Sequence, residues 1–170
     1  MLNSDSGNDI SPLRPRSLTV LCYLTIFASL YMIMTSFEGI LNPDGLSKRM
    51  EELLVEYDNM FSASNKDPLA AEAFSKAMKS IQQAIVPSNM HDFSVFTLIF
   101  NALTLIGAWL MMRLKKNGFR IYMLGNIIAV ASSGLVFGLD NWLGITYAIY
   151  HGITGSVFIL LYALKMKYME

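Results

Sequence analysis

The chain has 170 residues, of which 54% are hydrophobic and 15% charged, so it is long enough for one domain but too apolar for an ordinary soluble one. Lys and Arg number 13, as do Asp and Glu, so net charge favours neither nucleic acid nor acidic ligands and only its distribution along the chain is informative. The single cysteine, Cys22, excludes an intrachain disulfide, paired-thiol redox chemistry and a cysteine-rich metal site.

Residues 1–17 read as a polar, disordered lead that ends in a basic stop, where Pro12 and Pro15 flank Arg14 and Arg16. The first span is predicted over residues 18–41, and at 1.5 Å per residue it reaches about 36 Å, enough to cross about 30 Å of hydrocarbon. The run is too long for a cleavable signal peptide and has no Ala-x-Ala ending, so it is expected to remain as a span. Leu21 is larger than the small residue a lipoprotein cleavage site requires before Cys22. A packed, inert thiol is the reading for Cys22.

Residues 42–92 are predicted to form a cap on the far side of the membrane. Asn42-Pro43-Asp44-Gly45 has the chemistry of a turn. Between Leu46 and Phe61, Met50, Leu53, Leu54 and Tyr57 recur at helical spacing among charged residues, which describes an amphipathic helix. A polar break over 62–66 leads to Asp67-Pro68, an N-cap followed by proline at the first helical position. The second amphipathic helix carries Leu69, Phe74, Met78, Ile81 and Ile85 on one stripe and ends at Pro87-Ser88-Asn89. The two helices are expected to pair as an antiparallel hairpin, burying their stripes on each other and on the membrane surface.

The second span is predicted over 93–112, a basic turn over 113–120, the third span over 121–139, a short turn over 140–142, the fourth span over 143–164 and a basic tail over 165–170. Arg14, Arg16, the cluster Arg113, Lys115, Lys116 and Arg120, and Lys165 with Lys167 all fall on one side of such a chain. Positive residues resist translocation, so that side, with both termini, is expected in the cytoplasm. Trp142 and Trp109 suit the two interfaces. The basic turn serves topology, or holds anionic lipid head groups or a partner's acidic surface.

Ionisable groups at membrane depth are costly and are therefore candidate sites. Glu38 stands at the outer mouth of the first span, where it is solvated, touches the cap or binds a cation or proton. Measured inward from the outer ends, Tyr31, Asn101 and His151 reach one depth, about 12–14 Å, with Ser132 and Ser133 shallower. This layer is read either as a ligand or proton site within the bundle or as interhelical hydrogen bonding. Gly144, Ala148, Gly152 and Ser156, with Gly134 and Gly138, predict close approach of the third and fourth spans, or a face for another subunit.

No phosphate-cradling glycine loop, His-Glu-x-x-His or hydrolase elbow is present, and His91 and His151 are the only histidines. No catalytic residue, cofactor or metal is expected. The strings RPRSLTVLCYLTIF over 14–27 and LMMRLKKNGFRIYMLG over 110–125 resemble pieces of an uncharacterised group of four-transmembrane-helix proteins of Bacteroidota. The resemblance implies a bacterial inner membrane and carries no activity or functional residue.

The expected fold is all-α, a four-helix transmembrane bundle with an extracytoplasmic amphipathic hairpin between its first two spans. The expected function is that of a non-enzymatic inner-membrane protein, an accessory or scaffold subunit of a membrane assembly. Its partners would then be the lipid bilayer with a membrane-protein partner or further copies of itself, and not nucleic acid. The competing class is a small transporter or ligand-binding protein that uses Tyr31, Asn101 and His151; it lacks an inverted repeat, broken helices and buried charge.

Overall fold

Apolar runs long enough to cross hydrocarbon fold as helices, because a helix satisfies its backbone N–H and C=O groups within the segment. In the computed structural model, which describes residues 15–64 and 67–170, the chain is all-helical. Helix α1 spans Arg16–Leu41, α2 Pro43–Ser64, α3 Pro68–Ala84, α4 Pro87–Met112, α5 Lys116–Phe137 and α6 Trp142–Ala163, followed by a 3-10 turn at Met166–Tyr168. Helices α1, α4, α5 and α6 are each long and apolar enough to cross a membrane. The chain is an integral, multi-pass membrane protein. The lead over 1–14, and Asn65 and Lys66 of the expected polar break, lie outside the described residues.

Several boundaries differ from those expected, for local reasons. Asn42 caps α1, and Pro43 opens α2 at once, so the Asn42–Gly45 turn is reduced to a single cap residue. Pro87 both ends α3 and opens α4, so the span begins at residue 87 instead of 93. A proline lacks the N–H that a first helical position does not use. Most of the basic turn is helical, because α5 starts at Lys116 and continues through Arg120. The reversal is confined to Arg113, Leu114 and Lys115, with Leu114 at φ +61°. Asp67 caps α3 by accepting a hydrogen bond from the Leu69 N–H at 3.0 Å.

Within the bundle, α4 and α5 are central and antiparallel. A methyl group at Gly118 would stand 2.6 Å from the Gly107 carbonyl oxygen, and one at Gly107 would stand 2.8 Å from the Gly118 carbonyl oxygen. The two backbones therefore meet where neither residue has a Cβ. Gly125 extends the seam against Thr104 and Phe100. Helix α1 lies antiparallel on α4, with Gly39 against Ser94 at one end and Ser29 against Thr104 at mid-height. In the apolar windows of α1 and α6 only 22% and 17% of residues are buried within the chain, against 39% for α4, which places α1 and α6 on the flanks.

The ends of the bundle are closed differently. At the basic end Leu18, Cys22, Met111, Phe119, Tyr122 and Tyr162 pack with Met169. The tail is tied there by backbone bonds from the Glu170 N–H to the Leu114 carbonyl, 2.7 Å, and from the Lys116 N–H to the Glu170 carbonyl, 2.8 Å. At the opposite end Ala84, Ile85, Met90, Phe137 and Leu143 form a second core under the hairpin, with Leu46, Met50 and Leu54 from α2 against it. The Asn141 amide donates to the Ser80 carbonyl at 2.6 Å, which fastens α3 to the α5–α6 turn. Phe61 and Phe74 stack at 3.9 Å further along the hairpin. Only part of the hairpin's apolar surface is covered, since Leu53, Tyr57, Met60 and Leu69 remain exposed.

The expected approach of α5 and α6 is present, with Gly155 against Asn126, but the backbone-to-backbone seam lies between α4 and α5. Gly138 caps α5 at φ +80°, a backbone need that has nothing to do with helix packing. Gly144 meets the Gly138 carbonyl beside that turn, but a methyl group at Gly152 would meet no other part of the described residues within 4 Å. A Gly118→Leu substitution is predicted to cost about 1–3 kcal/mol by overpacking, whereas Gly152→Ala should change stability by no more than about 0.5 kcal/mol. Thermal unfolding in detergent reads both; equal midpoints would contradict the α4–α5 backbone contact.

Candidate functional site

Small polar residues line the inward faces of the spans. Ser94, Thr97, Asn101 and Thr104 are buried at helical spacing on α4, and Thr25, Ser29 and Ser36 on α1. Most bond back to a carbonyl of their own helix: Ser94 to Met90 and Thr97 to Phe93, each at 2.7 Å, and the Asn101 amide to Thr97 at 2.8 Å. Such bonds satisfy the donor without joining helices.

Hydroxyl pairs join spans. The Thr25 and Tyr162 hydroxyls are 2.8 Å apart, linking α1 to α6, and those of Ser29 and Thr104 are 2.9 Å apart, linking α1 to α4. Thr104 gives its own proton to the Asn101 carbonyl at 3.0 Å. Ser29 is therefore the donor to Thr104.

Above the Thr25–Tyr162 contact, α1 and α6 separate and leave a cavity of about 200 Å³ bounded by all four spans. Its walls include Thr25 and Ser29 from α1, Phe100 and Asn101 from α4, Tyr122 and Asn126 from α5, and Tyr150, His151 and Phe158 from α6. Among the described residues, no Asp, Glu, Lys or Arg lines it. Leu24 on α1 and Tyr150 on α6 form its rim and are more than half exposed, so the cavity faces the region that lipid chains occupy.

His151 is held by rings. Its imidazole meets Phe100 and Tyr150 edge-on at 5.3 and 5.4 Å and lies nearly parallel to Tyr147 at 6.2 Å. Neither ring nitrogen makes a hydrogen bond among the described residues. The Asn101 Oδ1 likewise accepts none there. Asn126 donates to the Tyr122 carbonyl at 2.9 Å and lies across Gly155, where a methyl group would stand 2.5 Å from its Oδ1. The glycine is what lets this amide lie against α6. Asn126, His151 and Gly155 also line a second space of about 390 Å³ between α5 and α6, whose floor includes Gly152 and Ser156.

Of the expected polar layer, Asn101 and His151 meet at one cavity and Tyr31 does not. Tyr31 is 67% exposed on the outer face of α1, because two residues beyond the inward-facing Ser29 is about 200° of helical turn. Ser132 and Ser133 are buried but bond to the Ala129 carbonyl and do not line the cavity. Glu38 is paired with Arg49 of α2, which ties the outer end of α1 to the hairpin. Arg113, Lys115, Lys116 and Arg120 are exposed at the basic end, with Arg113 over the Trp109 ring at 5.2 Å. Among the described residues, no three of His, Cys, Asp and Glu gather where they could hold a metal ion.

Sequence reasoning missed Thr25, Tyr122, Asn126 and Thr154 as cavity residues. Asn126 carried a usable signal, an amide inside an apolar run like Asn101. Replacing Thr25 by Val and Tyr162 by Phe, singly and together, should give a coupling of about 0.6 kcal/mol and at most about 1.7 kcal/mol. Unfolding midpoints in detergent measure it, and strictly additive losses would contradict the α1–α6 bond. No protein-family model matches the chain, and no curated protein or solved structure matches it.

Proposed function

We propose that this membrane protein binds a small uncharged molecule that enters the α1–α6 cavity from within the bilayer. The supporting observation is that the His151 imidazole and the Asn101 side-chain amide line one intramembrane cavity with hydrogen-bonding capacity unspent on the described residues. An unsatisfied polar group in hydrocarbon costs several kcal/mol. If these groups served only to join helices, they would bond across helices as Thr25 with Tyr162 and Ser29 with Thr104 do. A ligand whose own polar atoms hydrogen-bond with these side chains meets the need. The role is binding or transfer, with no catalytic step.

The placement belongs to the same proposal. The basic end, carrying Arg16, Arg113 to Arg120 and Lys165, faces the cytoplasm with both termini, and the α2–α3 hairpin lies outside. The membrane is a bacterial inner membrane, in keeping with the resemblance to the Bacteroidota group.

A second reading, an accessory or scaffold subunit, draws on the hairpin. Leu53, Tyr57, Met60 and Leu69 expose apolar surface there, which suits a membrane-protein partner. Extraction in mild detergent with mass spectrometry separates the two. Binding in the cavity predicts one small molecule recovered with the protein, lost from His151→Ala and Asn101→Leu but kept by Tyr31→Ala, with all three variants inserted. A stoichiometric protein partner and an empty cavity would overturn it in favour of the second reading.

A further inference from the structure

The ligand's chemistry can be narrowed from the cavity walls, and this step rests on the binding role just proposed. Three features constrain it. The first is charge: among the described residues the walls carry no Asp, Glu, Lys or Arg, so a phosphate or carboxylate would enter a low-dielectric space without a counter-ion from them.

The second is depth. At 1.5 Å per residue, His151 stands about 14 Å from the start of α6 and about 18 Å from its end. Phospholipid head groups lie at the edges of a core about 30 Å thick, so a lipid anchored by its head cannot place a polar group beside His151. The molecule must be one whose polar part dissolves in the hydrocarbon itself.

The third is the arrangement of rings and donors. Phe100, Tyr150 and Phe158 line the cavity beside His151, and aromatic walls favour a flat ring at centroid separations of about 4.5–7 Å. Each of the two amides spends one N–H on its own helix, Asn101 on Thr97 and Asn126 on Tyr122; Asn101 keeps a second, and Asn126 also bonds the Tyr122 side chain. They stand on different helices, α4 and α5, with His151 on α6 beside Asn126. The walls therefore present polar groups from three helices to one ring, whereas a sterol or fatty alcohol with a single hydroxyl would use one wall only.

We propose that the occupant is a membrane-dissolved quinone. Its ring lies among Phe100, Tyr150 and Phe158, one carbonyl accepts from Asn101 and the other from His151, and Asn126 braces the Tyr122 side chain at the wall. The apolar tail leaves between α1 and α6 past Leu24 and Tyr150.

Equilibrium binding of decylubiquinone to the purified full chain in lipid nanodiscs tests this, with oleyl alcohol and oleate as competing probes. Saturable decylubiquinone binding is expected, weakened at least tenfold by Asn101→Leu and by Asn126→Leu. His151→Phe, which keeps an aromatic ring in place, should weaken it as well, and unchanged thermal midpoints would establish that the variants are folded. Tyr31→Ala should bind as the unaltered chain does. Saturable binding of oleyl alcohol or oleate without decylubiquinone would overturn the quinone and leave the cavity as a binding site. Binding of none of the three probes, or decylubiquinone binding indifferent to all three cavity variants, would overturn the site together with its ligand.

Discussion

The backbone contact of α4 with α5 at Gly107 and Gly118 is the constraint on which the bundle depends. Lipid supplies no hydrophobic force to draw spans together, so close packing must come from residues that let backbones touch. Once α4 and α5 are joined in this way, each keeps a further face free, and α1 and α6 occupy those faces as flanking helices. They meet each other through Thr25 and Tyr162 near the basic end. The space left between them above that contact is the cavity, so the glycine seam positions the site although no glycine of the seam touches it.

Polar groups within the bundle divide into two kinds. Most serine and threonine hydroxyls are satisfied by carbonyls of their own helices, which makes them compatible with hydrocarbon but gives them little power to join spans. Hydroxyl pairs such as Thr25 with Tyr162 do join spans. What remains is concentrated at one height, where His151, Asn101 and Asn126 face the cavity with hydrogen-bonding capacity unspent on the described residues. A bundle built only for packing would have had its polar remainder scattered or absent. The same cavity is free of charge, and this combination limits occupants to neutral molecules carrying hydrogen-bonding atoms.

Much of the architecture was legible in the sequence because it rests on run length and on capping chemistry. Four apolar runs became four long helices, and Asp67-Pro68 opened α3 as an N-cap and first-turn proline do. The packing was harder to read. Gly107 and Gly118 sit alone on different helices and form no short motif, whereas the visible Gly134-x-x-x-Gly138 owes its second glycine to a positive φ at a helix end. The site was half legible for a similar reason. Counting residues inward fixes depth but not direction around a helix, so Asn101 and His151 were found and Tyr31 was placed with them although it faces outward. Asn126 escaped because, counted from the expected outer end of its span at 139, it lies about 20 Å deep, below that layer.

The account's central claim is that the opening between α1 and α6 leads to an occupied binding site instead of to ordinary lipid. Photocrosslinking in native membranes addresses this directly, with p-benzoylphenylalanine placed at Leu24 on the rim of the cavity and, for comparison, at Tyr31 on the outer face of the same helix. The account predicts that position 24 yields a discrete adduct of one neutral small molecule that position 31 does not, beyond the phospholipid adducts common to both. The same phospholipid adducts at both positions, with nothing further at 24, would contradict it.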